Sequence, residues 1–261
     1  MTDTPAIEAR GLTKTYGMFM ALDHVSFTVP RGQILGYLGP NGAGKSTTIS
    51  ILVGMLSATE GHVYFGGQEF RRDDYAMRRR IGYVPESGGF YETLTGFEFL
   101  QMAARLYHME EKEADRKARG FLELFELERA MHQRMGTYSK GMRQRVLISA
   151  AMLHNPDLLF FDEPLTGLDA NTSLLLKDLI RQLAQDGKTI FYCSHVLEVV
   201  ERLCDRVIIL DRGRAVADGT MAELRSSTEA ATLEQIFQQL THEEDTEARV
   251  KQFRSLLESA P

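Results

Sequence analysis

Residues 39–46 read Gly-Pro-Asn-Gly-Ala-Gly-Lys-Ser, which puts Gly39, Gly44, Lys45 and Ser46 on the fixed positions of a G-x-x-x-x-G-K-[ST] phosphate-binding loop. Such a loop works because a backbone with little side-chain bulk can turn several consecutive N–H groups onto phosphate oxygens. Pro40, Asn41, Gly42 and Ala43 complete the cradle, and Thr47 follows in the first turn of the helix that the loop opens. Lys45 is expected to reach the β and γ phosphates and Ser46 to ligate Mg²⁺, while the helix N-terminus adds partial positive charge. A nucleoside triphosphate with its metal is the ligand class these residues suit.

A phosphate loop of this kind needs a carboxylate nearby, at the end of a strand. Residues 158–163, Leu-Leu-Phe-Phe-Asp-Glu, supply an apolar strand ending in two acids. Asp162 is expected to hold Mg²⁺, directly or through water, and Glu163 to polarise an attacking water. Taken alone, the pair also reads as a solvated strand end; the phosphate loop favours the chemical reading.

The elements that would position these groups follow from the apolar pattern. Short strands are expected at 7–16, 25–29, 33–38, 62–65 and 81–84, with the third running through the glycine loop into a helix over 45–56. Between residues 92 and 151 the spacing changes to 3–4 residues, through Phe97, Leu100, Ala104 and Tyr107 and then Phe121, Leu124 and Phe125, as in helices with one apolar face. Strands return at 158–161, 189–193 and 207–210, around a helix with Leu175, Leu176, Leu179 and Leu183 on its stripe. The expected fold is α/β: a P-loop NTPase core made of residues 1–85 and 156–227, interrupted by a helical subdomain at 86–155 and followed by a short helical tail at 228–261. In that tail Leu233, Ile236, Phe237 and Leu240 form one stripe, either packed on the chain's own core or offered to a partner, and Val250, Phe253 and Leu257 form a weaker one.

Composition sets the outer limits. The chain has 261 residues, with 30 Lys and Arg against 36 Asp and Glu, so its net charge of −6 gives no support to a broadly basic nucleic-acid surface. Its two cysteines, Cys193 and Cys204, lie in apolar segments without metal-ligand spacing, which fits a reducing compartment. No secretory leader and no apolar run of the roughly 18–20 residues that a bilayer requires is apparent, so any membrane crossing is expected from another chain.

With these motifs in place, residues 6–225 resemble the ATP-binding subunits of ATP-binding-cassette (ABC) transporters. The most class-specific segment is Tyr138-Ser-Lys-Gly-Met142, followed by Arg-Gln-Arg145, which looks like the family's LSGGQ signature with Ser139 and Gly141 kept, Lys140 in place of a glycine and Met142 in place of the last residue. The resemblance implies ATP hydrolysis by a pair of cassettes that sandwich two MgATP, each phosphate loop facing the opposite signature. It further implies that Tyr16 stacks on adenine, that residues 165–169 (Leu-Thr-Gly-Leu-Asp) form the D-loop ending at Asp169, and that His195 contacts the γ-phosphate. Glu163, His195 and Lys45 are then the catalytic set.

At Glu86 the sequence departs from the family, whose glutamine there contacts Mg²⁺. Glutamate can still ligate through oxygen, but adds charge and loses an amide donor. The family's arrangement also implies a separate transmembrane permease whose coupling segment docks near residues 86–94, with Phe90 and Tyr91 as candidate lining, and a peripheral location on the cytoplasmic face of the membrane. The second cassette is either identical or a homologue. The Glu86 and Ser-Lys-Gly-Met variants and the Leu-Glu-Gln-Ile-Phe segment resemble exporter ATPases. A soluble ABC ATPase acting on ribosomes or nucleic acid is the alternative, and a non-hydrolysing regulatory subunit is disfavoured by the presence of Lys45, Asp162, Glu163 and His195.

Overall fold

The computed structural model describes residues 4–86, 88–89, 91–241 and 253–254; Phe90, Val250 and Leu257 lie outside them. The chain begins with β1 (Ile7–Tyr16) and β2 (Phe19–Val29), then β3 (Ile34–Leu38), which leads through the glycine loop into α1 (Lys45–Leu52). Next come β4 (Glu60–Phe65), β5 (Gln68–Glu69), α2 (Tyr75–Arg78) and β6 (Ile81–Val84). Helices α3 (Gly96–Leu106), α4 (Glu111–Leu124) and α5 (Lys140–Met152) separate these from β7 (Leu158–Asp162), α6 (Ala170–Gln185), β8 (Thr189–Cys193), α7 (Leu197–Leu203) and β9 (Arg206–Asp211). The described elements close with β10 (Arg214–Gly219), α8 (Met221–Thr228) and α9 (Leu233–Leu240).

Strands β3, β7 and β8 are buried at every residue, as expected where helices or a second sheet cover both faces. They form the middle of a six-stranded sheet in the order β10-β9-β3-β8-β7-β6, parallel except for β10. Because β3 neighbours β8 and β9 rather than its sequence neighbours, the connections on its two sides diverge, and a crevice opens at the carboxyl ends of the strands. The register aligns those ends, pairing Tyr37 with Cys193 and Asp162 with Cys193.

Alternation along the strands divides the core. Leu158 and Phe160 of β7 and Phe191 and Cys193 of β8 face α1 and the antiparallel sheet β2-β1-β4-β5, while Leu159, Phe161, Ile190 and Tyr192 face α6 to α9. On α6 the buried stripe is Thr172, Leu176, Ile180 and Ala184. Leu175 is exposed, because only one residue of an adjacent pair fits the 3.6-residue stripe. Helix α1 stops four residues short of the expected 56, where Gly54 turns to φ +74 and a β-carbon on it would lie 2.8 Å from the Phe70 ring. Helix α9 buries Leu233, Ile236 and Phe237 against the chain's own core.

Helices α3 to α5 have their own cluster, built on Phe97, Leu100, Ala104, Ala118, Leu122 and Val146. Where α5 passes into β7, the Nε2–H of His154 donates to the Ile81 carbonyl at 3.0 Å, and the Tyr107 ring stacks on its imidazole at 3.6 Å. Burial pushes its pKa down to about 4, against the pull of the Ile81 hydrogen bond, and Lys117 and Lys188 add to the depression. An imidazole that stays neutral when folded but protonates when unfolded lends stability above its unfolded pKa of about 6.5, and that stability is lost as pH falls toward 4. His154→Phe, which keeps an aromatic ring for the stack, should therefore flatten the fall in melting temperature between about pH 6.5 and 4.5; parallel curves for variant and wild type would contradict this.

Candidate active site

The glycine loop is shaped by what it passes. A β-carbon on Gly39 would lie 2.4 Å from the Leu210 carbonyl oxygen, and one on Gly44, at φ +109, would lie 2.5 Å from the Ala21 oxygen and 2.7 Å from the Leu22 side chain. The loop is pinned further by Ala43 N–H to Pro40 O at 3.1 Å and Gly213 N–H to Ala43 O at 3.0 Å. Lys45 lies back over its own loop, donating to the carbonyls of Gly39 at 2.6 Å and Pro40 at 3.0 Å. In the helix behind it, Thr48 is fixed by the Gly44 carbonyl and the Tyr37 hydroxyl, both at 3.1 Å.

A cleft of about 550 Å³ collects Asn41, Gly42, Gly44, Lys45, Ser46 and Thr47 with Tyr16 on one side and Glu86, Asp162, Glu163 and His195 on the other. Phe19 and Ala21 line it as well. Neither belongs to a sequence motif; the signal for Phe19 is the short hairpin that pairs it with Tyr16.

Asp162 and Glu163 are 6% and 8% exposed, yet they differ in surroundings. Burial pushes the Asp162 pKa up to about 6; a hydrogen bond with Cys193 opposes this, the negative charges of Glu86 and Glu163 add to it, and Lys45 draws it back. Glu163 adopts φ +50, a left-handed turn that costs a non-glycine residue on the order of 1 kcal/mol and redirects its side chain. One carboxylate oxygen accepts the His195 backbone N–H at 2.7 Å and lies 2.8 Å from His195 Nδ1, while the other accepts the Ser194 hydroxyl at 3.1 Å. Ser194 is a further site residue, one that belongs to none of the sequence motifs named above. The His195 ring stays largely exposed, its Nδ1 face held by Glu163.

Ser139 to Met142 do not line this cleft. Ser139 caps α5, its hydroxyl accepting the Met142 N–H at 3.2 Å. Gly141 is pressed against the loop after Glu163: a β-carbon there would lie 2.4 Å from the Gly167 oxygen. Gln144 donates to the Pro164 carbonyl at 3.2 Å, and Arg145 pairs with Asp169. Hydrogen bonds from the backbone and side chain of Thr172 hold the Asp169 pKa down at about 2, with Arg145 adding to the effect. Lys140 is exposed, and Met142 packs against the α3–α5 cluster, which accounts for an apolar residue at that position.

A protein family described as ABC transporter matches residues 22–166, more than half the chain. The chain belongs to the ABC transporter family. It is an ATP-binding subunit of that family and an ATPase. It is 36% identical over 230 residues to the linearmycin resistance ATP-binding protein LnrL of Bacillus subtilis, covering 88% of this chain and 74% of the relative. It is 37% identical over 228 residues to the daunorubicin resistance ATP-binding protein DrrA3 of Streptomyces coeruleorubidus, covering 87% and 72%. A solved ATP-binding subunit of an ABC transporter superposes with a TM-score of 0.84 at 35% identity, covering 90% of this chain and 99% of that one. A second structure, a dimeric ATP-binding cassette in a post-hydrolysis state with ADP and Pi, superposes at 0.76 with 28% identity, covering 82% and 98%.

For this ABC ATPase, the raised pKa of Asp162 has a measurable consequence in the absence of nucleotide. Its ionisation as pH rises through about 6 removes stability, so Asp162→Asn should stabilise the nucleotide-free protein near pH 7.5 by about 1–2 kcal/mol, after a discount for partial screening. The gain should shrink as pH falls below about 6 and vanish only below the unfolded-state pKa of about 3.8. Equal melting temperatures for the variant and wild type near pH 7.5 would contradict the assignment.

Proposed function

We propose that this ATPase works as one of a pair of cassettes that close around two MgATP and drive a separate membrane permease in export. The observation that carries this reading is a division: Tyr16, the phosphate loop, Asp162, Glu163 and His195 share one cleft, while Ser139 and Gly141, which the family uses on phosphate, lie outside it, with Gly141 packed against the loop that follows Glu163. A second cassette would supply the missing donors. The Ser139 hydroxyl and the N–H groups at the start of α5 suit a γ-phosphate.

Within one cleft, Tyr16 stacks on the base and the loop N–H groups bind phosphate oxygens. Lys45 exchanges the Gly39 and Pro40 carbonyls for the β and γ phosphates. Glu163 accepts a proton from the attacking water, and His195, tied to Glu163 through Nδ1, presents Nε2 to the γ-phosphate. Mg²⁺ fits the donor chemistry, because Ser46, Asp162 and Glu86 offer hard oxygens. No group of three or more His, Cys, Asp or Glu side chains placed to hold a metal exists among the described residues, so the cation would draw its other ligands from phosphate and water, as Mg²⁺ prefers. When bound it neutralises charge on the phosphates.

Coupling to a permease is supported by an apolar groove of about 360 Å³ between α3, α5 and β6, lined by Met55, Tyr83, Phe99, Met102, Leu106 and Leu147 among others. It adjoins the expected 86–94 segment instead of lying within it: Tyr91 is exposed and does not line it. Gly88 links the two, since a β-carbon there would lie 2.8 Å from Leu147. No helix among the described residues is long and apolar enough to cross a membrane. Export is favoured because the relatives carry names such as daunorubicin resistance and Nod factor export ATP-binding proteins.

Tagged Glu163→Gln protein, purified from detergent-solubilised membranes in MgATP, should bring down a multi-span membrane protein in stoichiometric amount. Recovery solely from the soluble fraction with ribosomes or nucleic acid would overturn the permease reading. Leu106→Glu, at an exposed groove position, should lose that copurification while the isolated subunit keeps its ATPase rate. Lys45→Ala should weaken nucleotide binding by about tenfold or more, measured by calorimetry.

A further inference from the structure

Lys14 and Tyr16 stand two residues apart on β1 and therefore share a side of the strand. The Lys14 ammonium lies over the Tyr16 ring, 5.3 Å from its centroid, within the range of a cation–π contact. Tyr16 lines the nucleotide cleft and Lys14 does not. The cation thus meets the ring from outside the set of residues that line the cleft.

The same ammonium donates to the Ser57 carbonyl at 2.9 Å, in the segment that follows α1. That segment is locked to β1 by Thr59 N–H to Thr13 O at 2.8 Å and Thr15 N–H to Thr59 Oγ1 at 3.1 Å. Helix α1 begins at the phosphate loop and ends just before this segment. Among the described residues no carboxylate pairs with Lys14 and no hydrogen bond holds the Tyr16 hydroxyl. A half-exposed ring on a hairpin tip is therefore oriented by one cation, which is anchored to the structure carrying the phosphate loop.

We propose that Lys14 is a positioning residue for the nucleotide base: it holds the ring of Tyr16 in its stacking orientation and fixes that platform relative to the phosphate cradle. This rests on the reading of Tyr16 as the surface that receives the base. Lys14 acts through the ring and touches neither phosphate nor base, so its effect belongs to nucleotide affinity and requires the base.

The test is calorimetric titration of the full chain with MgATP and, separately, with magnesium tripolyphosphate, which has no base. Lys14→Met, which keeps the aliphatic stem, should weaken MgATP by about two- to fivefold and leave tripolyphosphate unchanged, and Lys14→Arg should restore MgATP affinity. In a Tyr16→Leu background, Lys14→Met should have no further effect. Equal weakening of both ligands would show a diffuse electrostatic role and overturn the proposal, as would an unchanged MgATP affinity or the same loss without Tyr16. If Tyr16→Leu itself leaves MgATP affinity intact, the reading of Tyr16 falls and the proposal with it. If Tyr16→Leu weakens MgATP and Lys14→Met does not, the proposal alone fails.

Discussion

The rest of the structure depends on a close approach of backbones at the phosphate loop. Gly39 runs against the carbonyl of Leu210 at the end of β9, and Gly44 against that of Ala21 in β2, at distances where no side chain fits. The Gly213 turn completes the junction, its N–H going to Ala43 and its carbonyl accepting from Asp23. Two sheets and α1 thus meet at the loop itself. A bulkier residue there would do more than block phosphate: it would separate the antiparallel sheet bearing Tyr16 from the central sheet bearing Asp162.

Charge imposes the second constraint. Three carboxylates, Glu86, Asp162 and Glu163, face one ammonium, Lys45, around the cleft. A polyanionic nucleotide is poorly matched to that balance unless further positive charge arrives with it or from outside. Helix α5 begins outside the cleft, with Lys140, Arg143 and Arg145 in its first two turns and no acid in the first. The buried Gln144 bond to Pro164 and the Arg145–Asp169 pair join this cationic end to the segment beside Glu163. In the proposed pairing, a phosphate engaged by one cassette's α5 would be linked through these contacts to that same cassette's own acid pair.

Much of the α/β core was legible in the sequence, for an identifiable reason. Strands buried on both faces, such as Thr189–Cys193, are short apolar runs with polar ends, and their limits follow from the letters. Strand β2 reaches back to Phe19, farther than expected, because hairpin pairing with β1 recruits residues that remain exposed. β5 has two residues, and β10 is a largely exposed edge strand, so neither carries the alternation that marks a half-buried strand. At the site, the motif residues could be named individually. What was not legible was tertiary: that Ser194 and the backbone of His195 clamp Glu163, that Cys193 touches Asp162, and that the apolar groove lies beside residues 86–94.

The central claim is that a nucleotide bound in this cleft is completed by a second cassette. The most direct test is the structure of the Glu163→Gln protein in its assembled complex with MgATP. The account predicts a γ-phosphate within hydrogen-bond reach of Lys45 from one cassette and of the residue at the Ser139 position from the cassette facing it. A γ-phosphate enclosed by a single chain, with Ser139 turned to solvent, would contradict it.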